Sequence, residues 1–261
     1  MELNLKNKVA LVTGGTHGIG RAIALSLADE GCKVVVCSRN QIRIDETISI
    51  LQGKNVDCLG LQADVMSKSN IEKVMRDVVT RFGTINILVN SVGGGGRWGS
   101  DIIEDTEEEV YSEVYEKNAL AAIRFTTLVI PYMRKQKWGR VVTITSIYGK
   151  EAGGRPWFAM AKTAETAFMK SLSIKHYLTR DNITFNSVAP GAIMIPDTGW
   201  EAITEEKRKE NILFLEKDVP VERFGKPEEV ADLVTFLCSE KAAFINGTSI
   251  SIDGGQGHSL S

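Results

Sequence analysis

Directly after an apolar stretch and directly before a helical one stands Thr13-Gly-Gly-Thr-His-Gly-Ile-Gly20. Glycines at 14, 18 and 20 let the backbone turn sharply, approach a pyrophosphate and pack the following helix onto the preceding strand, while free N–H groups at the helix start face the phosphates. Gly14, Thr16, His17, Gly18, Ile19 and Gly20 are therefore candidate dinucleotide contacts. A bare strand-to-helix turn also uses glycines, but the position between a first strand and a first helix favours the binding role. A second stretch, Gly153-Gly-Arg-Pro-Trp-Phe-Ala-Met-Ala-Lys162, places Lys162 one helical turn after Phe158. A tyrosine at 158 would give the lysine an acid to work with; phenylalanine keeps the ring and omits the proton.

These residues have to be carried by something rigid. Segments 8–14, 33–39, 56–64, 85–91, 139–146, 183–191 and 247–255 are rich in Val, Ile and Thr and bounded by Gly, Asn or Asp, which predicts seven strands. The near-continuous apolar character of the first, second, fourth and fifth implies cover on both faces, as in a parallel sheet. Helical periodicity predicts helices near 19–30, 41–52, 68–82, 106–136, 157–179 and 227–238. The alternation predicts an α/β fold, doubly wound in the Rossmann manner, with helices flanking a seven-stranded parallel sheet in a single domain over 1–261. The acidic run 104–110 reads as the first turn of a helix.

Bulk properties agree. A chain of 261 residues, 43% hydrophobic and 25% charged, can bury one large core. A net charge of -2 gives no bulk electrostatic reason for nucleic acid or an anionic membrane as partner. The start of the chain carries no secretory pattern and no apolar run approaches a membrane span. Cys32, Cys37, Cys58 and Cys238 show neither CxxC nor zinc-type spacing, so no metal is expected, and reduced thiols fit a cytoplasmic protein.

The glycine spacing, together with motifs further along the chain, resembles the short-chain dehydrogenase/reductase family, including its 3-oxoacyl-carrier-protein reductases, over essentially the whole length. The resemblance takes in Asp64-Val65, which contacts adenine in the family, and Asn90-Ser-Val-Gly93, which stands where the family has Asn-Asn-Ala-Gly. It continues through Asn118, Ser146, Lys162, the Pro190-Gly191 turn with Ile193 behind it, and Asp253-Gly-Gly255. By resemblance, Asp64, Val65, Asn90, Gly93, Lys162, Pro190, Gly191 and Ile193 bind cofactor.

Cofactor choice is set at the end of the second strand, where NAD-preferring relatives place a carboxylate for the ribose 2′-hydroxyl. Here the position is Ser38, followed by Arg39 and Asn40, so a hydroxyl, a guanidinium and an amide can all donate to a 2′-phosphate. NADP(H) is expected over NAD(H). His17 stands where relatives of this preference carry Arg or Lys, which makes that second charge pH-dependent.

The resemblance implies hydride transfer between nicotinamide and a carbonyl or alcohol carbon. Ser146 would hydrogen-bond the reacting oxygen, a tyrosine would exchange the proton, Lys162 would hold the nicotinamide ribose, and Asn118 would support a water-linked proton path. Phe158 breaks that scheme with the register intact. Three explanations stand: an engineered Tyr→Phe change; a natural variant drawing its proton from Tyr148, the substrate or water relayed through Lys162; or a non-catalytic NADP-binding sensor or scaffold.

On the substrate side, Gly93-Gly-Gly-Gly-Arg-Trp-Gly99 offers flexible backbone beside Arg97 and Trp98, and Arg155 and Trp157 flank the site opposite. Two Arg and two Trp near one cleft suit an anionic or sugar-like carbonyl or alcohol substrate. Position 195 is Ile where the family has a Thr near the carboxamide, with Thr198 as a substitute, and 195–217 is expected to be a mobile substrate lid. Helices 106–136 and 157–179 form the dimer interface in relatives, so a homodimer or homotetramer is expected.

Overall fold

The computed structural model describes residues 1–196, 198 and 204–260. In chain order β1 (Val9–Thr13), α1 (Gly18–Asp29), β2 (Lys33–Ser38), α2 (Gln41–Gly53), β3 (Cys58–Gln62), α3 (Lys68–Phe82) and β4 (Ile87–Asn90) make the first half. The second half runs α4 (Glu108–Tyr115), α5 (Ala121–Lys135), β5 (Gly139–Ile144), α6 (Pro156–Ser173), α7 (His176–Thr179), β6 (Ile183–Pro190), α8 (Glu205–Asp218), α9 (Pro227–Leu237) and β7 (Ser249–Ile252). The strands form one seven-stranded sheet in the order β3-β2-β1-β4-β5-β6-β7, with every neighbour parallel.

Strand side chains alternate between two cores, because successive residues of a strand point to opposite faces. Val12, Val34, Val36, Val89 and Val142 pack under α1 and α9, with Leu27 and Val234 above them. Leu11, Val35, Leu88, Val141 and Phe185 pack on the other face under α3, α5 and α6, against Ile71, Phe125 and Met169. Each face is therefore closed by helices, as parallel pairing requires. Cys32 and Cys37 are buried free thiols pushed up to about 12 by desolvation, which leaves them unreactive.

All seven expected strands form, each within its expected bounds. The helices differ in three places. The expected single helix 106–136 is split: a short 3-10 turn covers Ile103–Asp105, and a wide π turn, Glu116–Leu120, separates α4 from α5. Its cause is Asn118, whose Nδ2 donates to the Val114 carbonyl at 2.7 Å, four residues back, taking the acceptor an ordinary helical amide would use. The expected helix 157–179 is also two, since Asn246 Nδ2 donates to the Ser173 carbonyl at 3.0 Å and satisfies the end of α6. Finally, α8 occupies ground for which no helix was expected. Its apolar residues Ile212, Phe214 and Leu215 come bunched around Leu213 instead of at helical spacing, and Thr204 caps its start at 3.1 Å.

Leu88 lies in the central strand with no exposed surface. Leu88→Ala is expected to cost about 2–5 kcal/mol in urea unfolding, whereas Ile42→Ala, on a residue 71% exposed, is expected to stay within about 0.5 kcal/mol.

Candidate active site

The carboxyl ends of β1, β4, β5 and β6 meet at one edge of the sheet. Thr13, the last residue of β1, binds the turn after β4: its Oγ1 accepts from the amides of Ser91 at 3.0 Å and Val92 at 3.4 Å and donates to the Val89 carbonyl at 3.4 Å. Gly14 and Gly18 have φ of 64° and 51°, a region side chains other than Gly rarely adopt. At Gly20 a Cβ would stand 2.3 Å from the Gly14 carbonyl oxygen, so the helix can begin this close to the turn only as glycine. Thr16 is buried, His17 is the extended N-cap residue of α1, and Ile19 lies in the first turn, which carries no acidic side chain. The positive helix end, with no acidic side chain in its first turn, is thus suited to an anion.

At the end of β2, Ser38 Oγ accepts from the Asn40 amide at 3.2 Å, and Asn40 Oδ1 caps α2 by accepting from the Arg43 amide at 3.1 Å. Asn40 therefore spends its oxygen on the helix and has its NH2 group to offer outward. Arg39 is exposed on the same edge. No carboxylate stands at this strand end. Asp64 Oδ1 accepts from the Met66 amide at 3.0 Å, shaping the turn before α3, and Val65 is buried beside it.

The turn after β4 is clamped by Asn118: Nδ2 donates to the Gly94 carbonyl at 2.9 Å and Oδ1 accepts from the Gly94 amide at 3.2 Å. A Cβ on Gly93 would stand 2.9 Å from Asn118 Oδ1 and 3.0 Å from Lys162 Nζ, which places those two polar groups and the glycine around one point. Asn90 behaves differently. Its Nδ2 donates to Thr126 and Thr143 Oγ1, each at 3.1 Å, so its side chain braces α5 against β5.

Lys162 is buried on α6 and donates to the Ile144 carbonyl at 3.0 Å and to Glu165 Oε2 at 3.0 Å. Glu165 is 1% exposed; desolvation pushes its carboxyl up from the ordinary value, and the Lys162 charge and hydrogen bond pull it partly back. Phe158 lies half-buried with its ring centroid 5.8 Å from Lys162 Nζ, over Gly96. Ser146 Oγ accepts from the Tyr148 amide at 3.2 Å, capping the short turn after β5. Burial raises the Tyr148 phenol above its usual range, and Asp218 and Glu151 add to the shift, so the hydroxyl stays protonated.

A cleft of about 460 Å³ opens beside Phe158, lined by Gly96, Ser100, Asp101, Gly154, Arg155 and Trp157 among others. Here the structure corrects two expectations. Arg155 is not an open fork: it pairs with Asp101 at 2.7 Å and donates to the Ser100 carbonyl. Trp157, at 1% exposure, packs against Val114 and Ala161 with Tyr111 edge-on at 5.2 Å, so its indole has no open face for stacking. Arg97 donates to the Thr198 carbonyl at 2.6 Å, tying the glycine-rich loop to the segment after β6. Trp98 is 39% exposed and carries the Lys117 ammonium over its ring at 4.7 Å.

Pro190 ends β6; Gly191 and Ala192 are held by the Ile252 carbonyl at 3.1 Å and Gln256 Oε1 at 2.8 Å, while Ile193 bridges to Gly225. Asp253 uses both carboxylate oxygens on the Gly255 and Gly257 amides, a turn-making role. Ile195 packs over the glycine turn, 2.7 Å from where a Gly18 Cβ would be, and Thr198 Oγ1 donates to the Ile195 carbonyl at 2.6 Å. Of the expected lid, residues 197 and 199–203 lie outside the described residues.

Two charged groups at the site were not singled out in the sequence. Lys117 is lowered from its usual value first by burial, with Arg39 and Lys162 adding to the shift and Asp64 and Glu113 opposing it. Glu165 carries the one signal that would have found it: it is the sole acidic residue in α6, three positions after Lys162. Among the described residues no cluster of metal ligands occurs and no helix is long and apolar enough to cross a membrane.

A parallel doubly wound sheet with its polar groups gathered at the carboxyl edge is the arrangement in which such sheets bind ligands, dinucleotides among them. The family model described as Enoyl-(Acyl carrier protein) reductase matches residues 14–256, and the chain belongs to the short-chain dehydrogenase/reductase family of oxidoreductases. It is similar to Dehydrogenase/reductase SDR family member 4 of Homo sapiens, 36% identical over 96% of this chain and 88% of that protein. Similarity to the 3-oxoacyl-[acyl-carrier-protein] reductase FabG of Aquifex aeolicus is 33% identity over 98% of this chain and 99% of the relative. The crystal structure of L-sorbose reductase from Gluconobacter frateurii, complexed with NADPH and L-sorbose, superposes with a TM-score of 0.91 at 31% identity over 100% of both chains.

Because Asn118 holds both the amide and the carbonyl of Gly94, Asn118→Ala is expected to raise amide exchange at Gly94 by about tenfold or more, a loss of about 1–3 kcal/mol of local protection read by hydrogen exchange.

Proposed function

We propose that this chain transfers hydride between NADP(H) and the carbonyl or alcohol carbon of a small-molecule substrate. The observation that carries this reading is the gathering of Lys162 and Asn118 around Gly93, at the sheet edge that also holds the glycine turn and Ser146. The residues present fit a dinucleotide. The absence of a Cβ at Gly14, Gly18 and Gly20 leaves room for a pyrophosphate, and by the family resemblance Asp64 and Val65 would meet the adenine. Ser38, Arg39 and the Asn40 amide replace the carboxylate that would repel a 2′-phosphate.

When bound, NADPH supplies the hydride. Ser146 gives one lone pair to the Tyr148 amide and keeps its O–H for the reacting oxygen. Lys162 presents its ammonium beside Gly93, and the Phe158 ring 5.8 Å from it offers no proton. That proton then comes from Tyr148, from water or from the substrate, and Tyr148 is kept in its acid form by burial and by Asp218 and Glu151. The same edge without a working acid would serve a non-catalytic NADP sensor.

With Arg155 held by Asp101 and Arg97 held by the Thr198 carbonyl, the cleft favours a hydroxylated, sugar-like carbonyl over an anionic one. Asp101 and the backbone oxygens accept from hydroxyls. The NADPH and L-sorbose complex of the similar Gluconobacter frateurii enzyme supports the same direction.

Titration by nicotinamide fluorescence tests the cofactor. NADPH is expected to bind at least about tenfold more tightly than NADH, about 1.4 kcal/mol, with the preference lost in Arg39→Ala; equal affinities would sink the assignment. Turnover tests the acid. Phe158→Tyr is expected to raise NADPH-dependent reduction by about 10²- to 10⁴-fold over a panel of ketoses, oxoacids and acyl thioesters. Substantial turnover in the unaltered protein would instead point to Tyr148, and Tyr148→Phe would then abolish activity while sparing NADPH binding. A Phe158→Tyr protein that binds NADPH and reduces nothing favours the sensor.

A further inference from the structure

The role of Glu165 is left open by the proposed reaction. Its carboxylate is 1% exposed, sits in the middle of α6, and meets Lys162 Nζ at 3.0 Å. Packing alone does not ask for it. Two charges removed from water lose more hydration than their attraction returns unless the geometry is excellent, and apolar residues of similar volume serve a fold as well or better. The pair also stands 5.8 Å from a ring that has no hydroxyl to share the ammonium's charge.

We propose that Glu165 is a positioning residue for Lys162: its carboxylate and the Ile144 carbonyl fix two of the three ammonium N–H bonds, leaving the third for the side where Gly93 and Asn118 lie. In the absence of a phenol, Glu165 is the counter-ion that keeps a buried ammonium fixed in that place. This rests on the reading that a nicotinamide ribose lies against Lys162.

The geometry carries a pH dependence. As pH falls, the carboxylate takes up a proton, the ion pair becomes a neutral acid beside a cation, and the ammonium loses its charged tether. Burial holds this carboxyl above the ordinary value, so the loss occurs at a less acid pH than for a surface glutamate. Among the described residues Lys162 is the one charge acting on Glu165. From the packed elements, the π turn presents Lys117, which acts on Lys162 and is itself faced by Glu113 of α4. The turn after β5 presents Tyr148, kept neutral, and β5 presents the Ile144 carbonyl. Strand β6 has no charged side chain; Arg124 of α5 is turned to Glu116 and the Met66 carbonyl, and His176 of α7 is exposed.

The test is NADPH affinity by fluorescence for the full-length protein, Glu165→Gln, Glu165→Asp, Lys162→Met and Lys162→Met/Glu165→Gln, from mildly acid to mildly alkaline pH, with circular dichroism confirming the fold. Glu165→Gln is expected to bind about tenfold or more weakly on the alkaline side, its ratio to the unaltered protein shrinking toward one as pH falls. Titration of the cofactor phosphate is common to both proteins and cancels in the ratio. In the Lys162→Met background Glu165→Gln is expected to change nothing further. Glu165→Asp, with its charge one methylene short, is expected to bind more weakly while keeping the acid limb; it carries the test if the glutamine variant does not fold. The proposal is overturned by a folded Glu165→Gln protein matching the unaltered one at alkaline pH, by a pH-independent ratio, by a Glu165→Asp affinity equal to the unaltered protein's, or by a glutamine effect that persists without Lys162. Were the unaltered protein not to bind NADPH, the cofactor reading would fall first and this proposal with it.

Discussion

Parallel pairing is the constraint on which everything else rests. A strand can lie parallel to its neighbour only if the chain first returns to the starting edge, so each crossover is a helix and every strand ends on the same side. The sheet order reverses direction between β1 and β4, where two successive crossovers depart to opposite faces and leave a crevice. Thr13 closes the strands on either side of that crevice with one hydroxyl, fixing the glycine turn relative to the loop that Asn118 and Lys162 approach from behind. The chemistry is assembled from residues far apart in the chain because topology delivers them to one line.

This explains why the fold was so legible. Both faces of the sheet are covered, so the strands read as plain apolar runs, and Val34 to Cys37 or Ile87 to Val89 are unmistakable without tertiary information. The glycine turn was legible because a Cβ at position 20 would fall 2.3 Å from the Gly14 carbonyl oxygen, which leaves glycine as the residue type that fits. Less was visible where a single side chain competes with the backbone: Asn118 makes a wide turn and Asn246 ends a helix from 73 residues away, and neither leaves a mark on periodicity. Nor does residue type tell whether a charge is already engaged. Arg155 was a reasonable anion-binding fork until Asp101 was found on it, and Trp157 a reasonable stacking surface until its burial was seen.

Charge within the site has one pattern. Cations converge from three elements, with Lys117, Lys162 and Arg39 near enough for Lys117 to sense the other two. Such clustering suits a ligand carrying several negative charges, and it disfavours the empty state of the same edge. The fold answers the most deeply buried of these cations with the Glu165 carboxylate, and the half-buried one with the face of Trp98. Desolvation and attraction are thus set against each other at the centre of the molecule, where mispositioning by an ångström would be felt at the reacting groups.

The wide turn at Glu116–Leu120 also sets the phase of one helix against the next. A π turn amounts to one residue more than a regular helix needs, and one residue of α-helix is about 100° of rotation. Upstream of Asn118, Val114 faces Trp157; downstream, Phe125 and Val129 face the sheet. Deleting one residue between them would restore an unbroken helix and turn one of these apolar faces to solvent. The extra residue is thus a phase correction, which a deletion could not remove without repacking α4 or α5.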